Sequence, residues 1–230
     1  MELSPYYEKK MDCLFCKKSF PTTKIRSKFV KVGDTDTDFM PIYDNNQVQA
    51  MYYNVFVCEH CGFSFTEDFT KYFAPGTSEQ LKEQICNRWV PHGFSGERTV
   101  FQALQAYKLA LLCADIKKER FVTKAGLALR IGWMYRSLNN DGQEKRFLEM
   151  ARNLYMESFS TDDYSATQMS GVRVMYMIAE LSRRLDDYEN ATRFFSKVIE
   201  SQRSGGEPKV IEMAKERWEE IRAAREALAE

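Results

Sequence analysis

The chain has 230 residues, 33 basic and 33 acidic side chains, and 44% hydrophobic residues that include 16 Phe and 12 Tyr. This aromatic content excludes a disordered chain, and the zero formal charge excludes a general attraction to nucleic acid or anionic lipid. The charged residues Glu2, Glu8, Lys9 and Lys10 within residues 1–12 argue against a secretory signal peptide. No segment reaches the roughly 18 uninterrupted apolar residues of a membrane span. The sequence therefore predicts a folded cytoplasmic protein of one or two domains.

Two C-x-x-C pairs, Cys13-Leu-Phe-Cys16 and Cys58-Glu-His-Cys61, are the first motifs along the chain. Disulfides do not persist in a reducing cytoplasm, so paired motifs of this type indicate thiolate ligands for a tetrahedral metal ion. We predict one Zn²⁺ per chain bound by Cys13, Cys16, Cys58 and Cys61. A single iron ion fits the same ligand type, and a thiol-redox or iron electron-transfer protein is the alternative.

The flanks of the second pair favour a zinc-ribbon-like knuckle. Gly62 follows the second cysteine, where the chain often needs a positive φ, whereas Lys17 stands at the matching place after Cys16. Residues 53–57 and 63–66 predict strands on either side of the second knuckle. Four cysteines leave no open position for substrate, so we expect a structural metal and an exposed, non-ligating His60.

The segment between the two pairs is basic at first and then acidic. Six basic residues and no acid lie in residues 17–31, and Lys24, Arg26 and Lys28 alternate as on one face of a strand. A nucleic-acid-binding module using the basic strand 24–31 is therefore a further alternative. Residues 1–75 hold 9 basic and 10 acidic side chains, however, and this net charge of −1 argues against phosphate binding.

From residue 76 the apolar pattern has a helical period. We predict a metal-binding β head over 1–75 and a helical domain over 76–230, giving an α+β fold that is predominantly α. Cys86 and Cys113 are expected to be structural rather than catalytic. The predicted helices cover residues 78–89, 97–117, 120–138, 142–158, 165–185, 188–202 and 208–228.

Residues 176–199 resemble a tetratricopeptide repeat, with small and large apolar residues at the spacing of two paired helices. A second pair around Gly132 matches less closely, because 47 residues separate it from Ala179 where about 34 are expected. Such repeats expose a concave face that could hold a protein or an acidic peptide, although an ordinary solvated helix face is the alternative. The predicted partner-binding residues on this face are Trp133, Arg136, Arg173, Tyr176 and Arg183.

Nearly the whole chain resembles a bacterial family of unknown function that joins a cysteine-rich head to a tetratricopeptide-like tail. The resemblance lies in both cysteine pairs, the basic segment 24–28, Asp38-Phe39, Tyr43, residues 53–57 and residues 129–136. Leu14 and Lys17 differ from the commoner form of the first knuckle. The resemblance implies the architecture and no particular activity.

These observations favour a non-catalytic adaptor in which the metal is structural and the helical face binds a protein or peptide. No catalytic residue and no organic cofactor are predicted, since the sequence offers no set of nucleophile, base and acid and no phosphate-binding glycine loop. We expect no membrane partner. The sequence makes no prediction of oligomeric state.

Overall fold

The computed structural model describes residues 3–43 and 48–227, and it confirms an α+β fold that is mostly helical. The chain forms two compact units. The head unit comprises residues 3–36, 40–43 and 48–119, and the helical unit comprises residues 37–39 and 120–227. No helix among the described residues is both long enough and apolar enough to cross a membrane.

Three antiparallel two-stranded hairpins make up the strands of the head unit. In the first and the third, a C-x-x-C motif occupies the turn. Tyr6 lies opposite Ile25 in the first hairpin, and Phe56 lies opposite Phe65 in the third. The strands are β1 (Tyr6–Asp12), β2 (Ser19–Ile25), β3 (Val32–Thr35), β4 (Pro41–Tyr43), β5 (Phe56–Val57) and β6 (Ser64–Phe65).

The predicted basic strand over residues 24–31 is wrong. Strand β2 ends at Ile25, and Ser27–Phe29 form a 3₁₀ turn, so Lys24 and Lys28 do not share a strand face. The backbone N–H of Arg26 still donates to the Pro5 carbonyl, at 2.9 Å. Proline has no N–H to return that bond, so the ladder stops there.

The helices follow the predicted pattern closely. Predicted helix 97–117 begins later because Thr99 and Gln102 form a capping box. Predicted helix 165–185 begins later because the Ser170 side chain accepts a hydrogen bond from the Arg173 N–H. The helices are α1 (Thr77–Gln84), α2 (Val100–Lys117), α3 (Phe121–Ser137), α4 (Asp141–Thr161), α5 (Gly171–Arg184), α6 (Tyr188–Glu200) and α7 (Pro208–Ala227).

The head unit extends to residue 119, because α2 completes its core. Tyr107 of α2 is fully buried and donates from its hydroxyl to the Met51 carbonyl at 2.7 Å. The Cys113 sulfur accepts a hydrogen bond from the Ser64 N–H at 3.4 Å. Two-stranded hairpins are marginal in water, so a helix that covers their apolar side belongs to the same folding unit.

In the helical unit each helix from α3 to α7 packs against the next one along the chain. Helices α3 and α4 approach closely at Gly132, where a Cβ would lie 2.9 Å from Cδ2 of Leu148. Ala179, Ala191 and Phe195 are fully buried between α5 and its neighbours. The small residues picked out from the sequence thus lie where helices are in contact.

Candidate metal centre

Four cysteine sulfurs meet at the turns of the first and third hairpins. The Sγ atoms of Cys13 and Cys61 are 3.7 Å apart, as are those of Cys16 and Cys58. All four sulfurs lie within 4.8 Å of one another. A disulfide bond is about 2.05 Å long, so the sulfurs are not bonded to each other. Tetrahedral metal–sulfur bonds of about 2.3 Å place neighbouring sulfurs about 3.8 Å apart, so the four thiols fit a single metal ion.

The two knuckles have the same backbone hydrogen bonds. The Cys13 carbonyl accepts from the Lys17 N–H at 3.1 Å, and the Cys58 carbonyl accepts from the Gly62 N–H at 2.8 Å. Lys17 and Gly62 have φ values of 64° and 74°, both in the left-handed region. The lysine therefore adopts the conformation of the glycine that it replaces, and the first knuckle closes in the same way as the second.

Trp89 covers the second knuckle, which the sequence pattern did not indicate. Its indole N–H donates to the Glu59 carbonyl at 2.7 Å, across thirty residues of chain. A Cβ at Gly62 would lie 2.5 Å from the indole ring, so the close contact requires glycine as well as the positive φ. Only the tertiary structure reveals this contact, because no local spacing links Trp89 to the motif.

The cysteine cluster is mostly enclosed by protein, and the close contacts between its thiols shift their pKa values. Cys13, Cys58 and Cys61 are buried, and Cys16 is partly exposed. Hydrogen bonds from Cys13 and Cys61 hold the pKa of Cys58 well below its ordinary value, while hydrogen bonds with Cys13 and Cys58 raise the pKa of Cys61. A divalent cation would supply the positive charge that lets the thiols of the cluster ionise together.

Three further candidate side chains, His60, Cys86 and Cys113, are not among the four grouped cysteines. The His60 ring nitrogen lies 3.1 Å from the Ser19 carbonyl, and His60 is not among the grouped ligands. Cys113 is fully buried, and burial raises its pKa to about 12. Cys86 is partly buried next to Cys61, and burial raises its pKa as well.

The predicted partner-binding residues divide into two groups. Three of them lie against residues 37–39 of the chain itself: Trp133, Arg136 and Tyr176. The other two form ion pairs with acids of their own unit, Arg173 with Glu207 at 2.7 Å and Arg183 with Glu180 at 2.8 Å. We call Thr37–Phe39 the tip and the surface formed by Trp133, Arg136 and Tyr176 the groove. No sequence pattern indicated that the tip lies in this groove.

Asp38 is the most strongly bound residue of the tip. Its carboxylate is fully buried and accepts hydrogen bonds from the Trp133 indole N–H at 2.9 Å and from Arg136 at 2.7 Å. Burial alone would lower the pKa of Arg136, but hydrogen bonds and charge from Asp38 and Glu144 raise it above the ordinary value. The guanidinium therefore stays charged and holds the buried carboxylate.

The fold and this site define a class of protein: a mixed α+β chain whose head unit carries a cluster of four cysteines that can bind a metal ion. A model of a family described as an uncharacterized protein conserved in bacteria (DUF2225) matches residues 6–221, and the chain belongs to that family. No curated protein and no solved structure shows significant similarity to the chain.

Proposed function

We propose that this protein is a non-catalytic cytoplasmic adaptor in which one zinc ion stabilises the head unit and the helical unit binds a protein or peptide. The metal-binding part of this proposal rests on the four cysteine sulfurs, which lie within 4.8 Å of one another. Four protein ligands fill a tetrahedral shell, so neither water nor substrate has a place on the ion. A metal held in this way supplies folding energy rather than chemistry.

Thiol redox chemistry is the competing function for the same four residues. A redox C-x-x-C motif forms its disulfide between its own two cysteines. Here the sulfurs of both motifs lie within 4.8 Å of one another, and pairs at 3.7 Å join one motif to the other, Cys13 to Cys61 and Cys16 to Cys58. A single cluster shared by the two motifs supports metal ligation over two separate redox motifs.

Native mass spectrometry of freshly purified full-length protein tests the metal proposal. We expect one zinc ion per chain in the wild type, and loss of both the metal and the folded head unit in Cys58→Ser. Cys86→Ser is the matched control, because Cys86 lies beside the cluster but outside the four ligands. Bound iron, or a mass two protons lower for each disulfide, would shift the proposal to electron transfer or thiol redox.

The adaptor part rests on the groove, whose aromatic and arginine side chains already hold a short piece of polypeptide. Crosslinking followed by mass spectrometry in cells is the test. We expect a protein partner that crosslinks to the wild type and is lost with Arg136→Glu. Arg222→Glu is the control, because Arg222 is exposed and pairs with Glu226 of its own helix at 2.8 Å. Recovery of no specific partner with the wild type would count against the adaptor role, and recovery of the same partner with both variants would count against the groove as its site.

The structure offers less support for nucleic-acid binding. Lys24 forms an ion pair with Glu67 at 2.9 Å, and the Arg26 side chain donates to the Ser4 carbonyl at 3.2 Å. These residues and Lys28 do not form the single strand face on which that alternative depended. Binding to DNA or RNA that weakens steeply as salt rises would revive it.

A further inference from the structure

We infer that the groove is a recognition site for an acidic and aromatic polypeptide segment of the Thr-Asp-Phe kind, and that the chain's own tip occupies it in cis. This inference rests on the proposed adaptor function and specifies the chemistry of the partner. The partner would present an aspartate followed by an aromatic residue. To bind, it would have to displace Thr37–Phe39.

The aspartate is recognised by directional contacts rather than by general charge. Arg136 donates to both carboxylate oxygens of Asp38, at 2.7 and 3.2 Å, and the Trp133 indole N–H adds a third bond at 2.9 Å. A planar guanidinium that binds both oxygens of a carboxylate is a selective arrangement. An amide in place of the carboxylate could not accept all of these bonds.

The charge of the groove also selects an acid. Around Asp38 the helical unit places three arginines and two glutamates: Arg136, Arg183, Arg184, Glu144 and Glu180. Without the tip these side chains carry a net charge of +1, and with Asp38 the charge is balanced. Glu180 is fully buried, so this balance is held in a weakly screened environment.

The neighbours of Asp38 are recognised by different means. Tyr176 donates from its hydroxyl to the backbone carbonyl of Thr37 at 2.8 Å, while the Thr37 hydroxyl donates to Glu180 and accepts from Arg184 at 2.7 Å. The Phe39 ring lies 5.3 Å from the Tyr176 ring, which is an aromatic pairing distance. The groove therefore binds the hydroxyl and carbonyl of Thr37, the acid of Asp38 and the aromatic ring of Phe39.

The tip has features of an occupant that can be exchanged. Within the described residues, β3 and β4 pair only with each other, and every residue of β3 is exposed. Such a hairpin is marginal by itself. Phe39 has a φ of 65°, a left-handed conformation that is unfavourable for an aromatic residue. A partner segment that reaches the same contacts without this strain would compete favourably with the tip.

Fluorescence polarisation with a labelled peptide of residues 33–42 tests the inference on full-length protein. The wild type should bind the peptide weakly, because its own tip competes. Asp38→Asn should bind it at least ten-fold more tightly, and Phe39→Ala at least three-fold more tightly. A peptide with Asn at the position of Asp38 should bind the wild type and both variants at least ten-fold more weakly than the parent peptide does.

Variants of the groove supply the controls. Adding Arg136→Gln to the Asp38→Asn chain should weaken peptide binding at least ten-fold, whereas adding Arg222→Gln should leave it unchanged. Asp38→Asn and Phe39→Ala chains that keep their circular dichroism and metal content but bind the peptide no more tightly than the wild type would overturn the inference. If both variants misfold, the preference of the wild type for the Asp peptide over the Asn peptide decides the question.

The same peptide separates this inference from the adaptor role. Specific peptide binding without any crosslinked cellular partner would support recognition by the groove and would contradict the proposed adaptor function. A crosslinked partner that the peptide does not displace and that still binds Arg136→Gln would support an adaptor and overturn the groove as its site.

Discussion

At the scale of single residues, the two knuckles show how one backbone conformation can be reached by different side chains. Gly62 reaches a positive φ without a Cβ, and its lack of a side chain also admits the Trp89 ring. Lys17 reaches nearly the same φ with a Cβ, which is unfavourable for an L-residue. The first knuckle therefore stores strain that the second does not.

Replacing Lys17 with glycine should stabilise the metal-loaded protein by about 0.5–1 kcal/mol. The left-handed conformation costs a non-glycine residue about 1–2 kcal/mol, and the added freedom of glycine in the unfolded chain offsets about half of that. Urea unfolding with excess zinc measures the change. Lys18→Gly is the control and should destabilise, because Lys18 does not have a positive φ. Equal effects of the two substitutions would contradict the strain argument.

A buried ion pair gives a second prediction at this scale. The ammonium of Lys117 and the carboxylate of Glu119 are paired and almost fully buried, and Glu119 also accepts from the Thr70 N–H at 3.0 Å. Glu119→Ala would leave a buried ammonium without its counter-ion, which costs about 3–5 kcal/mol. Thermal unfolding should show a large loss for this variant and little change for the exposed control Glu83→Ala.

At the scale of elements, helix ends are fixed by side chains that the hydrophobic period does not reveal. Asp163 lies in a short turn after α4, yet its carboxylate accepts hydrogen bonds from the first backbone N–H groups of α3, at Phe121 and Val122. Asp187 caps α6 within its own sequence, accepting from the Asn190 N–H at 3.2 Å. Local caps can be read from the sequence, whereas a cap from another element cannot.

The cap of α6 should show a pH dependence. Hydrogen bonds from Asn190 lower the pKa of Asp187 in the folded protein. Its contribution is therefore present above the unfolded pKa of about 3.9 and is lost as the pH falls through the lower folded value. Asp187→Ala should cost about 1 kcal/mol at pH 7. The difference from the wild type should shrink below about pH 4 in urea unfolding, and a difference that persists at pH 2 would contradict the charge-based explanation.

At the scale of the whole molecule, we expect the proposed metal ion and the packed helices to stabilise different parts of the chain. The head unit relies on two-stranded hairpins held at their turns by four cysteines, with α2 covering their apolar side. The helical unit has its own buried residues on consecutive helices, including Ile178, Phe195 and Ala214. Removing the metal should therefore affect the two units unequally.

We expect a chelator to increase amide hydrogen exchange strongly in β1, β2, β5 and β6 and to leave α5 and α6 protected. Acidification should release the metal as well, because protons compete for the thiolates that bind it. Hydrogen exchange with mass spectrometry on the full chain, with and without chelator, measures this. Uniform loss of protection along the chain would show instead that both units depend on the metal.

The sequence by itself determined the elements that depend on local spacing. The C-x-x-C pairs predicted four grouped cysteines, the 3.6-residue period predicted the helices to within a few residues, and Gly132 predicted a close approach of two helices. Strand β1 was not predicted, because most of its residues are exposed and it lacks apolar alternation. The basic strand was predicted wrongly because Pro5, immediately before the partner strand β1, ends the ladder at that point.

Only the tertiary structure decided which distant residues come together. It placed Trp89 over Gly62, α2 in the core of the head unit, and Asp38 against Trp133 and Arg136. Each of these contacts joins residues far apart in the chain, so no local period or spacing encodes it. Periodicity shows which face of an element is apolar, whereas burial and charge pairing in the folded chain determine what that face contacts.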